Sequence, residues 1–401
     1  MNLPIKKPSI LIPKKEIDLK KWSVIACDQF TSDKDYWDRL FDYANGVYSS
    51  LYLIYPEAYL QNGNQDAYIN KINQTMIDYL NEGIFDIVND YILTVRTTAF
   101  GKTRKGLMTL IDLDAYDPFG KLDIRATERT VRERLPMRVK IREKASMELP
   151  HVMVLIDDKD KDVIEKIYAE LKESDLLYET ELNSNGGSVK GYRVKNSEEV
   201  ESAVLKVCEK HAENSELSDF YLAVGDGNHS LAAAKECWEN IKKTLGDKDT
   251  TGNPQRYALV EMVNLFDEGI TFEPIHRIIK NVGDDFLEGL DQHEGREIKV
   301  ISNNTQTVVK MQGSAPEIIA TVQNYIDTYL QNHGDAYQDY LHGDEHTTDA
   351  VKDGGVAIFL PSIEKDTFFK YINDNGVLTR KAFSMGEAEE KRYYLEGRII
   401  K

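Results

Sequence analysis

The chain has no apolar run approaching the roughly 20 residues that a membrane helix needs. It has only three cysteines in 401 residues, Cys27, Cys208 and Cys237. They are far apart, odd in number and in no Cys-x-x-Cys pair, which argues against a disulfide framework or a zinc ribbon. The opening residues, Met1-Asn2-Leu3-Pro4-Ile5-Lys6-Lys7-Pro8, lack the apolar core and small-residue cleavage site of a secretory signal. A cytoplasmic, membrane-free setting is therefore expected. Positive charge is also short: 50 Lys and Arg stand against 68 Asp and Glu, a formal net charge of −18. General nucleic-acid binders depend on neutralising backbone phosphates, so this balance disfavours that class. No repeat, heptad array or low-complexity tract is present, which excludes solenoids and coiled coils. The named phosphate motifs are missing too. There is no Gly-Lys-Ser/Thr ending of a P-loop, no third glycine of a dinucleotide fingerprint and no Gly-x-Ser-x-Gly elbow.

What is there is a stretch that breaks and restarts in an informative way. The apolar run Phe220-Tyr221-Leu222-Ala223-Val224 ends at Gly225-Asp226-Gly227-Asn228-His229-Ser230, and an alanine-rich segment follows. The order predicts strand, tight turn and helix start. In that geometry unpaired N–H groups and the positive end of the helix dipole can hold an anion. Gly225 and Gly227 permit close backbone approach, and Asp226 and His229 can supply chemistry beside it. The dipole favours a neutral His229 ring. The plainer reading is a strand-to-helix turn capped by Asn228 or Ser230.

Along the chain the pattern predicts a short strand at 24–26, ending at Cys27-Asp28-Gln29, which could line the same cleft. Ser32 or Asp33 then caps a helix through Tyr36, Trp37, Leu40 and Phe41. A helix is expected over 65–80, strands at 91–95 and 107–113, and a strand of alternating polarity at 138–142. A buried strand at 151–156 and helices at 163–173 and 197–211 follow. Beyond the glycine turn come a strand at 256–265 and an interruption at Glu273-Pro274-Ile275-His276-Arg277. A strand at 298–301, a helix at 316–330, a strand at 356–360 and a helix at 363–372 complete the reading. This is an α+β mixture without steady βαβ alternation. An acidic, glycine-containing stretch at 283–295 suggests a main domain at 1–285 and a C-terminal α/β region at 286–401 packing on the same cleft.

Basic residues cluster in one place. Nine of them, from Lys121 to Lys144, face four acidic ones. The cluster reads either as a solvated face or as a clamp, and arginine forks suit phosphate well. Glu128 lies among Arg125, Arg129 and Arg132, as a base, a magnesium ligand or a salt-bridged surface residue. His342-Gly343-Asp344-Glu345-His346 carries metal-ligand residue types, but Gly343 and the missing Glu-after-His pattern favour an acidic loop. No metal site is assigned.

Four segments together resemble the uncharacterised prokaryotic family DUF1015. They are the Gly225-Asp226-Gly227-Asn228-His229-Ser230 turn, Pro274-Ile275-His276-Arg277, Glu128-Arg129-Thr130 and Arg380-Lys381-Ala382-Phe383-Ser384-Met385-Gly386. The turn is more distantly similar to the ParB/sulfiredoxin-like superfamily, whose Asp-Gly-His-His-Arg box binds nucleotide phosphates at a helix start. Asp226, Gly227 and His229 match that box, whereas Asn228 and Ser230 replace its first histidine and its arginine. The resemblance implies a ParB/sulfiredoxin-like core with added N- and C-terminal elements, and ATP or ADP with Mg²⁺ as cofactor. It implies binding of a small anionic ligand and transfer of phosphate to a small molecule. Glu128, Asp226 and His229 are then the catalytic candidates. Gly225, Gly227, Asn228, Ser230, Arg129, Arg132, Arg277 and Lys381 are the nucleotide-binding ones. The alternative is a ligand-binding or regulatory protein without turnover, which the loss of the box arginine favours. The oligomeric state is left open.

Overall fold

The computed structural model describes residues 3–60, 63–214, 217–218, 220–246, 248–290, 292–302 and 305–401. The chain divides into two units: Met1–Ala126, Thr130–Ile270 and Glu387–Lys401 make the first, and Thr127–Arg129 with Thr271–Gly386 the second. Both mix helices and strands.

The first unit is built on a mixed ten-stranded sheet. At its centre Tyr257–Asn264 pairs antiparallel with Thr103–Asp112 and parallel with Met153–Ile156. Met153–Ile156 pairs in turn with Leu222–Asp226, and that strand lies parallel to Ile124–Ala126. Alternate side chains point to opposite faces, so neighbours such as Ile92 and Leu93, or Leu259 and Val260, enter separate cores. One core takes the helices Lys34–Tyr43 and Gln65–Asn81. The other takes Ile164–Glu170, Ser197–Glu213 and Asn228–Leu245. Helices on both sides explain why the strand Tyr257–Asn264 is buried at every position.

The second unit has a six-stranded sheet ordered Thr305–Met311, Arg296–Ser302, Val356–Ile358, Phe272–Lys280 and Tyr337–His342, with Phe383–Met385 also on Phe272–Lys280. The expected interruption at 273–277 is a continuous strand instead. Pro274, which has no N–H to donate, falls where the strand changes partners, from Phe383–Met385 to Tyr337–His342.

The expected strand at 138–142 is also corrected: it is the helix Leu135–Arg142, with Pro136 in its first turn. Two apolar rows caused the misreading. Met137 and Ile141 pack on the first core, while the Val139 carbonyl receives the Cys237 thiol from Asn228–Leu245. With neighbours on two sides, residues 137–142 are all partly covered, and the alternating polarity of the sequence mimics a strand.

Candidate functional site

Strand Leu222–Asp226 delivers Asp226 to its carboxyl end, opposite Met153. Gly227 turns the chain at φ +81° and serves as the N-cap of the 18-residue helix Asn228–Leu245, in place of the expected Asn228 or Ser230. Among the described residues no side-chain cap hydrogen bond is made at its N-cap. What comes close to Gly227 is the protein itself. A Cβ there would meet Val152 Cα and Cγ2 at 3.0 Å, so the glycine is needed for packing as well as for its left-handed conformation.

Around this turn the first unit gathers charged groups from distant parts of the sequence. Lys391 Nζ donates to Asp226 Oδ2 at 3.0 Å, and Gly227 N–H donates to Asp226 Oδ1 at 2.9 Å. The Lys391–Asp226 pair is largely shielded, with side chains 14% and 25% exposed. Asp28 feels the same ammonium. Burial works against the Asp28 carboxylate, but His151, a hydrogen bond from Gln29, Lys391 and Arg138 outweigh it and hold its pKa below the usual value. Glu57 lies beside it and goes the other way. Burial raises its pKa and Asp28 adds to the effect, against the pull of its partner Arg138. The two carboxylates thus differ in their readiness to hold a proton.

His229 is neutral, as expected, but chiefly for another reason. Burial, then Arg138 and Arg134, push its pKa down to about 4. Its Nε2 accepts from Val131 N–H at 3.1 Å, which places the ring proton on Nδ1. Ser230 Oγ is 2.9 Å from His151 Nε2, and Tyr394 Oη is 2.8 Å from His151 Nδ1 and accepts from Cys27 N–H. Asn228 Oδ1 is buried without a hydrogen-bond partner among the described residues. The Cys27 thiol is pushed up to about 12 by burial and by Asp28, which removes it as a nucleophile at neutral pH.

Two residues beyond Asp28, Phe30 takes φ +49°, a strained conformation for a bulky side chain. Its ring stacks on Tyr36 at 4.2 Å. With Arg39, Tyr43, Ser184 and Asn185 this pair lines a pocket of about 580 Å³. Ser184 and Asn185 also have positive φ, +49° and +62°.

The basic cluster is dispersed. Arg125 lies over the Phe220 ring, Arg132 is exposed and stacks 3.7 Å from Phe119, and Arg138, Lys140 and Arg142 pair with Glu57, Asp66 and Glu148. Arg134 and Arg138, rather than Arg129 and Arg132, are the cluster arginines whose charge acts on His229. Glu128 and Arg129 belong to the second unit, where Glu128 bridges to Leu378 and its charge acts on Arg277. Arg277 is fully buried there, donating to Gln323 Oε1 and the Ile275 carbonyl beneath the Tyr340 ring. Lys381 is exposed at φ +55°. His151, Lys391, Glu57 and Arg134 were not distinguishable as site residues in the sequence. Asp28 gave a weak signal, a polar break after a short strand.

No helix among the described residues is long and apolar enough to cross a membrane. No curated protein matches the chain. Among solved structures the chain is similar to a free serine kinase in complex with AMP, at 10% identity over 73% of this chain and 91% of that one, TM-score 0.36. It is also similar to SbnI with C-terminal truncation from Staphylococcus aureus, at 10% identity over 70% and 82%, TM-score 0.35. A conserved hypothetical protein from Pyrococcus furiosus gives 11% identity over 72% and 90%, TM-score 0.32. The family model described as "Protein of unknown function (DUF1015)" matches residues 11–379. Because that match covers most of the chain, the protein belongs to the DUF1015 family.

Proposed function

We propose that this is a cytoplasmic nucleotide-binding phosphotransferase acting on a small hydroxylated metabolite, with the Asp226–Ser230 turn as its phosphate site. The observation that carries the reading is the arrangement about Lys391. One ammonium pairs with Asp226 and acts on Asp28, at the foot of a long helix with no side-chain cap hydrogen bond at its N-cap among the described residues. Free N–H groups and a lysine suit phosphate oxygens. Arg134 and Arg138 supply further positive charge to offset the transferring group. Asp28, held ionised, takes the proton of the acceptor hydroxyl as its oxygen bonds to phosphorus and the bond to the leaving phosphate breaks. The aromatic pocket at Phe30 and Tyr36 has a volume in the range of small-molecule sites and suits a nucleobase.

Magnesium belongs to this reading as an ion carried on the nucleotide, where it neutralises phosphate charge. Both Asp226 oxygens are already engaged and Asp28 serves as the base, so in this reading the ion is held by the nucleotide phosphates. The strand, left-handed glycine and helix start also support the ParB/sulfiredoxin-like core. Glu128, Arg129, Arg132, Arg277 and Lys381 stay in the reading as residues to test one at a time. The rival is a binding protein without turnover, favoured by the engagement of Ser230, at the box-arginine position, with His151.

The test is a thermal-shift and calorimetric screen with AMP, ADP and ATP, with and without Mg²⁺, followed by phosphorus NMR of candidate acceptors. A nucleotide that raises Tm in the native chain but not in Lys391→Met supports the phosphate site. Binding without any transfer selects the rival. No effect of any nucleotide on Tm or heat overturns the phosphotransferase reading.

A further inference from the structure

We propose that the first unit holds a single monovalent anion, of the size of chloride, between the guanidinium groups of Arg96 and Arg104. The two side chains line a cavity of about 20 Å³ together with Thr94, Glu261, Arg392 and Glu396. That volume takes one particle near the size of water and excludes phosphate or sulfate. Arg96 is 3% exposed and Arg104 6% exposed, and the Nε of each has no hydrogen-bond partner among the described residues. Buried donors of charged groups are rarely left unmade, because the desolvation penalty is then uncompensated.

Charge points the same way. Arg392 takes both nearby carboxylates, donating to Glu261 Oε2 at 2.7 Å and Glu396 Oε2 at 2.5 Å. Arg104 is left 3.8 Å from Glu261, outside hydrogen-bond range. Arg96 donates only to carbonyls, those of Gly186 at 2.5 Å, Glu389 at 3.2 Å and Lys391 at 3.5 Å, with the Tyr393 ring beneath it. Among the described residues no carboxylate lies within ion-pair range of Arg96. Glu390 accepts from Thr98 and from Glu387 N–H and pairs with Lys102 at 3.8 Å, so its carboxylate is already engaged. Three guanidinium groups thus share two carboxylates in a buried place. Water could satisfy the two Nε–H groups, but only an anion also balances the remaining charge. Burial and the neighbouring Arg104 and Arg392 charges push the Arg96 pKa down to about 10, which still leaves it cationic at neutral pH.

The anion acts on the segment its arginines hold. Arg96 and Arg104 grip the carbonyls of Glu389, Glu390 and Lys391, just where the chain presents Lys391 to Asp226 and Tyr394 to His151. A filled site therefore stiffens that segment, independently of any nucleotide. The experiment compares Tm of the full chain in sodium chloride and sodium gluconate at equal ionic strength, then locates bromide by anomalous diffraction. We expect Tm higher by about 2–4 °C in chloride once the ion is well above its dissociation constant. Arg104→Met removes that difference. A bromide peak between Arg96 and Arg104 in the native chain supports the proposal even if that variant fails to fold. A water alone at that place, or a bromide peak only elsewhere, overturns it, and diffraction decides where the two measurements disagree.

Discussion

Two turns in this protein are made alike and placed differently. At each, a strand ends, a glycine takes a positive φ and a helix begins: Gly227 at φ +81°, ψ 23° after Leu222–Asp226, and Gly343 at φ +75°, ψ 138° after Tyr337–His342. Both carry an aspartate and a histidine nearby, so their local sequence signals are close to equal. The first leads into an 18-residue helix and meets buried charge from the 28, 57, 138, 151 and 391 regions. The second leads into a six-residue helix, and its Asp344, 71% exposed, reaches only His276 and Lys299 among the described ion pairs. Local chemistry nominates a turn, and long-range assembly decides whether the charge there is concentrated enough to hold a ligand.

The sharpest way to break that comparison is to exchange the glycines. Gly227→Val must adopt a strained conformation and displace Val152, a cost of about 2–4 kcal/mol. Gly343→Val meets only His346 Cδ2 at 3.8 Å, so backbone strain alone remains, about 1–3 kcal/mol. Urea unfolding of both variants should separate them, and equal losses would end the distinction. Next comes chemistry. Asp28→Asn should lower phosphate transfer about 100-fold with nucleotide affinity kept, while Glu345→Gln changes neither. If both variants turn over normally, Asp28 is not the base. A smaller effect is expected for the arginines. Arg134→Ala and Arg138→Ala should each weaken nucleotide binding about tenfold in titration calorimetry, and Lys144→Ala less than twofold.

The smallest effect is a pH slope. His229 has a folded pKa of about 4 against 6.5 for a free ring. Its contribution to stability is therefore complete above pH 6.5 and is lost as the pH falls towards 4, because the unfolded chain takes up the proton first. Thermal unfolding of His229→Gln should decline less steeply than the native chain between those values. An unchanged slope would show that other groups govern the acid loss.

Much of the secondary structure was legible because it is set locally. Asp33 caps Lys34–Tyr43, and the helix Gln65–Asn81 follows its apolar spacing. The glycine turn was legible for the same reason, since only a few residue types suit that conformation. Leu135–Arg142 misled because its partly buried apolar residues meet two separate neighbours. The site was legible only at its turn. Nothing near position 391 announces that its lysine will meet Asp226, 165 residues earlier in sequence, and His151 is one more residue in an apolar stretch until Ser230 and Tyr394 close on it. Arg132 and Arg138 read alike in the sequence, and only the fold separates an arginine over Phe119 from one bound to Glu57.

The return of residues 387–401 to the first unit has a consequence for the order of events during synthesis. Trp22 donates its ring N–H to Leu395, 373 residues away, and Glu148 takes Arg398 across 250. A ribosome exposes the whole second unit before it delivers those partners. The first unit must therefore wait, its core open along one seam, while the second can close by itself. Contacts of such long range slow folding and leave incomplete chains prone to association. A chain cut short of position 391 would have neither a finished core nor the lysine at Asp226, so the final stretch makes stability and the site arrive together.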